Sequence, residues 1–268
     1  MTDSRPGRPD GLFDGPVAVV SPHMDDAALS CGRLLASLPG AHVVTVFSGG
    51  PERVSPLPEW DRLSGAFSPG DDVMGLRVYE DEAALAVVGA TGHRLGLWDE
   101  QYRQRPPRLA RYRPGAVRAM RRRLDDPRVE DDAVRALAAI MQDLPARTWV
   151  VPLGLWHGDH KKTARACLRL ATRPPHLGRP APRFVVYEEL PYRLDVPDEI
   201  EQAKAGWGVT GLSLEPLAAP DLDNEARAEA KAAMVAAYRS QLPCLGPRAH
   251  IAVNAEETYH LLRTGRTG

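Results

Sequence analysis

Lysine is almost missing from this chain: Lys161, Lys162, Lys204 and Lys231 are the only four, so its cationic charge is carried by arginine. Excess charge is missing too. A net charge of -1 leaves no global attraction to nucleic acid or to an anionic membrane surface. Cysteine is scarce: Cys31, Cys167 and Cys244 are odd in number and far apart. They match neither a disulfide framework nor a CxxC metal knuckle, and they favour a reducing compartment. No window approaches the roughly 18 apolar residues a membrane span needs. The opening "MTDSRPGRPDGLFDGP" is polar and proline-rich where a signal peptide would be basic and then apolar. These absences predict a cytoplasmic chain with no nucleic-acid partner and no membrane insertion; a homo-oligomer stays open. P-loop and G-x-S-x-G signatures are absent as well. "GWGVTG" at 206–211 has the letters of a dinucleotide fingerprint, but no strand precedes it and no helix follows.

What is present is ordinary globular material, 268 residues with 43% hydrophobic and 26% charged side chains, enough to bury a core. Short β-branched runs recur as "VAVVS" at 17–21, "HVVTVFS" at 42–48, "TWVVPL" at 148–153 and "FVVYEE" at 184–189, with a weaker strand at "HRLGL". They scarcely alternate, as expected of strands covered on both faces. Helical patterns lie between them, in "DDAALSCGRLLASL", "MGLRVYEDEAALAVVG", "DDAVRALAAIMQDL" and "KKTARACLRLAT". Strands alternating with helices predict an α/β fold, Rossmann-like, with three α/β/α layers around a mainly parallel sheet. The whole chain, 1–268, reads as one domain with its core at about 15–245. Two stretches break the rhythm: an arginine-rich, proline-interrupted insertion at about 101–128, and a loop-rich excursion at 190–222.

In open parallel sheets, ligands bind beyond the carboxyl ends of the strands. Both polar clusters of this chain fall there. "SPHMDD" follows the strand at 17, and "GLWHGDHKK" follows the strand at 148. His23, Asp25, Asp26, His157, Asp159 and His160 can therefore meet above neighbouring strands. Histidine and carboxylate together are ligands for zinc or iron, and a catalytic site offers about three protein ligands plus an open position. The surplus matters, because metal-assisted hydrolysis also needs a general base and a donor for the developing oxyanion. Taken alone, an Asp-Asp pair is more often a helix N-cap.

"PHMDDA" and "HGDH" resemble the PHPDDE-like and HPDH-like signatures of the LmbE-like or PIG-L family of zinc-dependent N-deacetylases. "RVYEDEAALAVVG" at 77–89 looks like that family's R-x-x-E helix, "VVYEELPY" at 185–192 its YE-x-LPY segment, and "KAAMVAAYRSQL" at 231–242 its K…Y-x-SQ helix. The resemblance spans about 15–245. It implies His23, Asp26 and His160 as ligands of Zn2+, with Fe2+ an alternative, and Asp25 as the base that deprotonates water. It implies His157 as an imidazolium that stabilises the oxyanion and protonates the leaving amine, oriented and raised in pKa by Asp159. Arg77 and Asp99 match substrate-binding positions. Read as ordinary residues, Arg77 would pair with Glu80 or Asp81 on its own helix and Asp99 would shape a turn. Glu188 would steady the site or serve the strand end. The sequence departs from the family pattern at Met24, Ala27 and Gly158, where proline, glutamate and proline are usual. The implied activity is hydrolysis of an N-acyl group, acetyl above all, from a small-molecule amino sugar or glycoconjugate. Alternatives are an amidase for a larger thiol-sugar or peptide-like conjugate, and a binding protein without catalysis.

Overall fold

A computed structural model describes residues 11–103, 128–173 and 181–264, apart from 194, 209–210, 219–221 and 223. Most of the arginine-rich insertion therefore lies outside the described residues. The four strong strands form close to where the sequence puts them: β1 Val17–Ser21, β2 His42–Thr45, β4 Thr148–Pro152 and β5 Arg183–Tyr187. The weak strand, β3, runs from Thr91 to Arg94, starting two residues before "HRLGL". All five are parallel, in the order β3-β2-β1-β4-β5. The order reverses between β1 and β4, the place where open α/β sheets hold their ligands.

The lack of alternation in these strands has a plain cause. Along β1, Val17 and Val19 enter the core on one face of the sheet, and Ala18 and Val20 enter the core on the other. Val150 and Val185 repeat the first pattern, Trp149, Val151, Phe184 and Val186 the second. One face is covered by α1 (Asp26–Ala36) and α3 (Val73–Ala86), and the other by α5 (Arg128–Asp143) and α6 (Gly158–Ala171). Each fully buried Val or Leu adds about 1.5–3 kcal/mol, so a central strand buried on both faces is firmly seated.

Two expectations need correction. The 190–222 excursion is not mainly loop: it carries α7 (Leu190–Arg193), α8 (Pro197–Gly208) and β6 (Leu212–Leu217). The core also continues past 245. After α9 (Glu225–Ala237), α10 (Leu242–Leu245) and α11 (Pro247–Asn254), strand β7 (Tyr259–Thr264) inserts antiparallel between β5 and β6. Prolines at 191, 197 and 216 sit at positions that tolerate them, the first turns of two helices and an outer strand. Gly206, Trp207 and Gly208 end α8 and do not follow a strand, so "GWGVTG" lacks the setting of a phosphate loop. No described helix is long and apolar enough to cross a membrane.

Candidate active site

The loop after β1 is stapled into one shape. Ser21 Oγ donates to the carbonyl of His23 and accepts from the N–H of Ala27 at 3.0 Å. Asp26 Oδ2 accepts the N–H of His23 at 2.9 Å. From behind, the buried Tyr238 hydroxyl sits 2.8 Å from the carbonyl of Met24 and 3.0 Å from Asp81. Asp25 occupies the N-cap position of α1, yet its side chain makes no capping bond. The ordinary N-cap role is therefore not what Asp25 does, and its carboxylate lines the cleft.

The loop after β4 is held as tightly. Gly154, at φ 97°, turns its N–H and that of Leu155 onto Glu189 Oε1, at 2.9 and 3.0 Å. Trp156 follows at φ 55°, a conformation that side chains other than glycine rarely adopt and that gathers at functional sites. Its ring lies against Tyr192 and under the Arg248 guanidinium. Gly158, where the family pattern has proline, leaves room for Glu100: a Cβ there would come within 2.6 Å of Glu100 Oε2.

These loops bring the two sequence clusters together. Asp26 Oδ2 lies 3.3 Å from His23 Nδ1 and 3.1 Å from His160 Nε2. The far nitrogen of each ring faces another carboxylate: His160 Nδ1 is 3.3 Å from Glu189 Oε1, and His23 Nε2 is 3.4 Å from Asp159 Oδ2. Carboxylates of this kind orient metal-binding histidines by taking the proton of the outer nitrogen. That leaves the fully buried His160 Nε2 facing Asp26 at 3.1 Å. A buried imidazole nitrogen against a carboxylate needs positive charge there, either a proton on Nε2 or a metal ion in its place. His23, His157 and His160 also form a cluster whose ligand atoms lie within 4.8 Å of one another. The donor set of imidazole and carboxylate fits zinc.

Charge states follow from this crowding. Burial raises the Asp25 carboxyl, the neighbouring Asp26 raises it further, and it reaches about 7. Asp26 is held well below the carboxylate range, against burial, by His160 and His23. His160 is raised to about 9, also against burial, by Asp26 and Glu189. His157 shifts the other way. Burial first, and then the positive charge of His23, lower it to about 4. Its Nδ1 accepts the backbone N–H of Asp159 at 3.2 Å, so in the neutral ring the proton sits on Nε2. The Asp159 carboxylate lies within 4.8 Å of a His157 ring nitrogen and raises that ring's pKa against burial. It also takes the N–H of Glu100 at 2.9 Å, the Arg103 guanidinium and His23, so it reaches the His23 ring as well.

Arg77 and Asp99 both line the cleft, but not as expected. Arg77 ignores Glu80 and Asp81 on its own helix, which are engaged by Ser240 and by Tyr238 with Arg94. Its Nη2 instead donates to Asp61 Oδ1 at 2.6 Å, and its Nη1 lies 3.8 Å from Asp99 Oδ2. Asp99 keeps the turn role too, accepting from the N–H of Gln101 at 3.0 Å. Glu188 faces away from the metal cluster, toward His260 at 2.9 Å and Lys204 at 3.2 Å; its neighbour Glu189 is the glutamate that meets His160. Sequence reading missed Glu189, although the pair "EE" at a strand end was a signal, since consecutive residues there point to opposite sides. It also missed Trp60 and Asp61 on one short helix, Tyr102 and Arg103 on another, α4 (Glu100–Arg103), and Gln241 at the N-cap of α10, which reach the site from three places in the chain.

Comparison with known proteins agrees with this geometry. The family model for PIG-L, the GlcNAc-PI de-N-acetylases, matches residues 18–171. No curated protein matches the chain. Among solved structures, a deacetylase of teicoplanin biosynthesis is 22% identical, with 95% of this chain and 100% of that one covered and a TM-score of 0.67. The pseudoaglycone deacetylase Dbv21 is 22% identical over 94% and 99%, with a TM-score of 0.66. GalB, the 4-carboxy-2-hydroxymuconate hydratase of Pseudomonas putida KT2440, is 14% identical over 93% and 95%, with a TM-score of 0.55. The last pairing shows that this fold also serves a different reaction, so the site must decide the chemistry.

Proposed function

Because this chain belongs to the PIG-L family, we infer that it is a zinc-dependent N-deacetylase that hydrolyses the N-acyl group, acetyl above all, of a small amino sugar or glycoconjugate. The observation that carries the reading is the convergence of His23 and His160 on Asp26 Oδ2, at 3.3 and 3.1 Å, beside an Asp25 carboxyl that makes no capping bond. His23, Asp26 and His160 would hold the zinc. When bound, zinc supplies Lewis-acid polarisation and water activation.

The remaining chemistry belongs to the chain. Asp25, with its carboxyl at about 7, is suited to take the proton of the attacking water and to return it to the leaving nitrogen, since a base works best near the operating pH. The products are then a carboxylate and a free amine. His157 acts as a neutral donor through Nε2–H to the acyl oxygen as charge develops there, a hydrogen bond of the oxyanion-hole type. Burial favours this neutral form over the imidazolium of the family pattern. Asp159 and Arg103 hold the His23 ring, and Glu189 holds His160. Arg77 and Asp99 border the substrate cleft. The three free cysteines support a reducing, cytoplasmic setting.

The test is a panel of N-acyl amino sugars, nucleotide sugars and glycosides, together with bulky amide conjugates, assayed for amine release with zinc loaded. Release of acetate from an N-acetylated sugar is the expected outcome. No release from any member would overturn the reading.

A further inference from the structure

Among the described residues, the cleft is lined by one fixed cation and two carboxylates. Among the described residues that line it, Arg77 is the one with a fixed positive charge, while Asp25 and Asp99 are acids. Arg77 is already matched. It is buried on α3, its Nη2 bound to Asp61 at 2.6 Å and its Nη1 3.8 Å from Asp99. Asp61 is fully buried on α2 (Glu59–Ser64), and its second oxygen accepts the Tyr102 hydroxyl at 2.9 Å. These two bonds orient the carboxylate onto the guanidinium. A phosphate arriving beside Arg77 would meet Asp99 with no unmatched fixed cation among the described lining residues to offset it, and like charges at such separations repel strongly outside bulk water.

The hydrogen-bonding atoms point the same way. Gln101 Nε2 donates to Asp99 Oδ2 at 3.2 Å, which fixes the amide so that Oε1 is its acceptor end, and that buried oxygen has no partner. An orphan acceptor is satisfied by a ligand that brings a donor. A hydroxyl does so; a fully ionised phosphate does not. Trp60, held by its Nε1–H bond to Gln241 Oε1 at 3.0 Å, lines the same cleft and offers an apolar ring beside these polar atoms.

We propose that this cleft selects an uncharged, hydroxyl-bearing N-acyl sugar against its phosphorylated counterpart, and that Asp61 sets this preference by neutralising Arg77. The proposal rests on the deacetylase reading and names the substrate class within it.

The experiment compares methyl N-acetylglucosaminide with N-acetylglucosamine 1-phosphate on the zinc-loaded full chain, by kcat/KM and by calorimetric binding. The neutral sugar should be preferred at least about tenfold. Asp61→Asn should shrink that ratio about tenfold by freeing the guanidinium for phosphate. Because Asp61 is buried, Asp99→Asn serves as a second variant at a half-buried position, and it should shrink the ratio in the same direction. Equal or better use of the phosphate ester, or a ratio that neither variant changes, overturns the proposal. If the sugars bind with the expected preference and are not hydrolysed, the deacetylase reading fails while charge selection stands. Failure of both sugars to bind overturns the hydroxyl-bearing class itself.

Discussion

At the floor of the cleft, the fully buried His160 has a carboxylate against each ring nitrogen, Asp26 at 3.1 Å and Glu189 at 3.3 Å, and Asp26 also faces His23. At the wall formed by α3, Arg77 is also buried, but Asp61 and Asp99 match its charge. Both regions take charge out of water, which is costly unless the charge is paired. The wall solves this with its own side chains, and the floor does not. The difference teaches where a ligand belongs: an excess of carboxylate around buried imidazole asks for positive charge from outside, whereas a matched ion pair asks only for neutral company.

The comparison can be broken first at the floor. His160→Ala should abolish both zinc binding and turnover, the latter by about a thousandfold or more, as read by metal analysis and amine release; retained zinc would remove His160 from the ligand set. Asp25→Ala should keep the zinc and lose about 10²–10⁴ in turnover, the usual span for a general base, and an unchanged kcat would dismiss the base assignment. Glu189→Gln and Arg103→Ala should weaken zinc affinity about 10–100-fold, the range for partners that orient metal-binding histidines, measured by competition with a chelator.

The smallest effect concerns the glutamate next door. Against burial, His260 and Lys204 hold the Glu188 carboxyl below its ordinary value of 4.5. A lowered folded-state value stabilises the fold above about pH 4.5 and is lost as pH falls below it. Glu188→Gln should therefore cost about 1–2 kcal/mol at pH 7, and much less near pH 3.5, in thermal or denaturant melts. Zinc affinity should stay as in the unchanged chain, and a zinc defect here would erase the contrast drawn between Glu188 and Glu189.

Much of the site was legible in the sequence because its chemistry is concentrated in two short runs, each at the end of a strand with a clear pattern. His23, Asp25, Asp26, His157, Asp159 and His160 come together for that reason. What stayed hidden depends on pairings across long stretches of chain. β7 joins the sheet through partners on β5 and β6, and nothing local in "YHLLRT" announces them. Asp61 reaches Arg77 from a short helix sixteen positions earlier, and no helical period connects the two. The direction of Asp159 could not be read from "HGDH" either, since it depends on Arg103, Glu100 and His23 arriving from elsewhere. Lys231 is a similar case: buried beside Gly32, it pairs with Glu257 at 2.9 Å, and the Glu257 carboxylate accepts the N–H groups of Arg33 and Leu34 past the irregular turn at Cys31. The late K…Y-x-SQ motif is thus a brace for α1 and the β1 loop.

The most direct measurement is the zinc content per chain, after dialysis against limiting free zinc, of the unchanged protein, Asp25→Ala and Asp26→Ala. The two adjacent aspartates should separate cleanly: one zinc per chain in the unchanged protein and in Asp25→Ala, and none in Asp26→Ala. Equal zinc in Asp26→Ala and the unchanged protein would contradict the account.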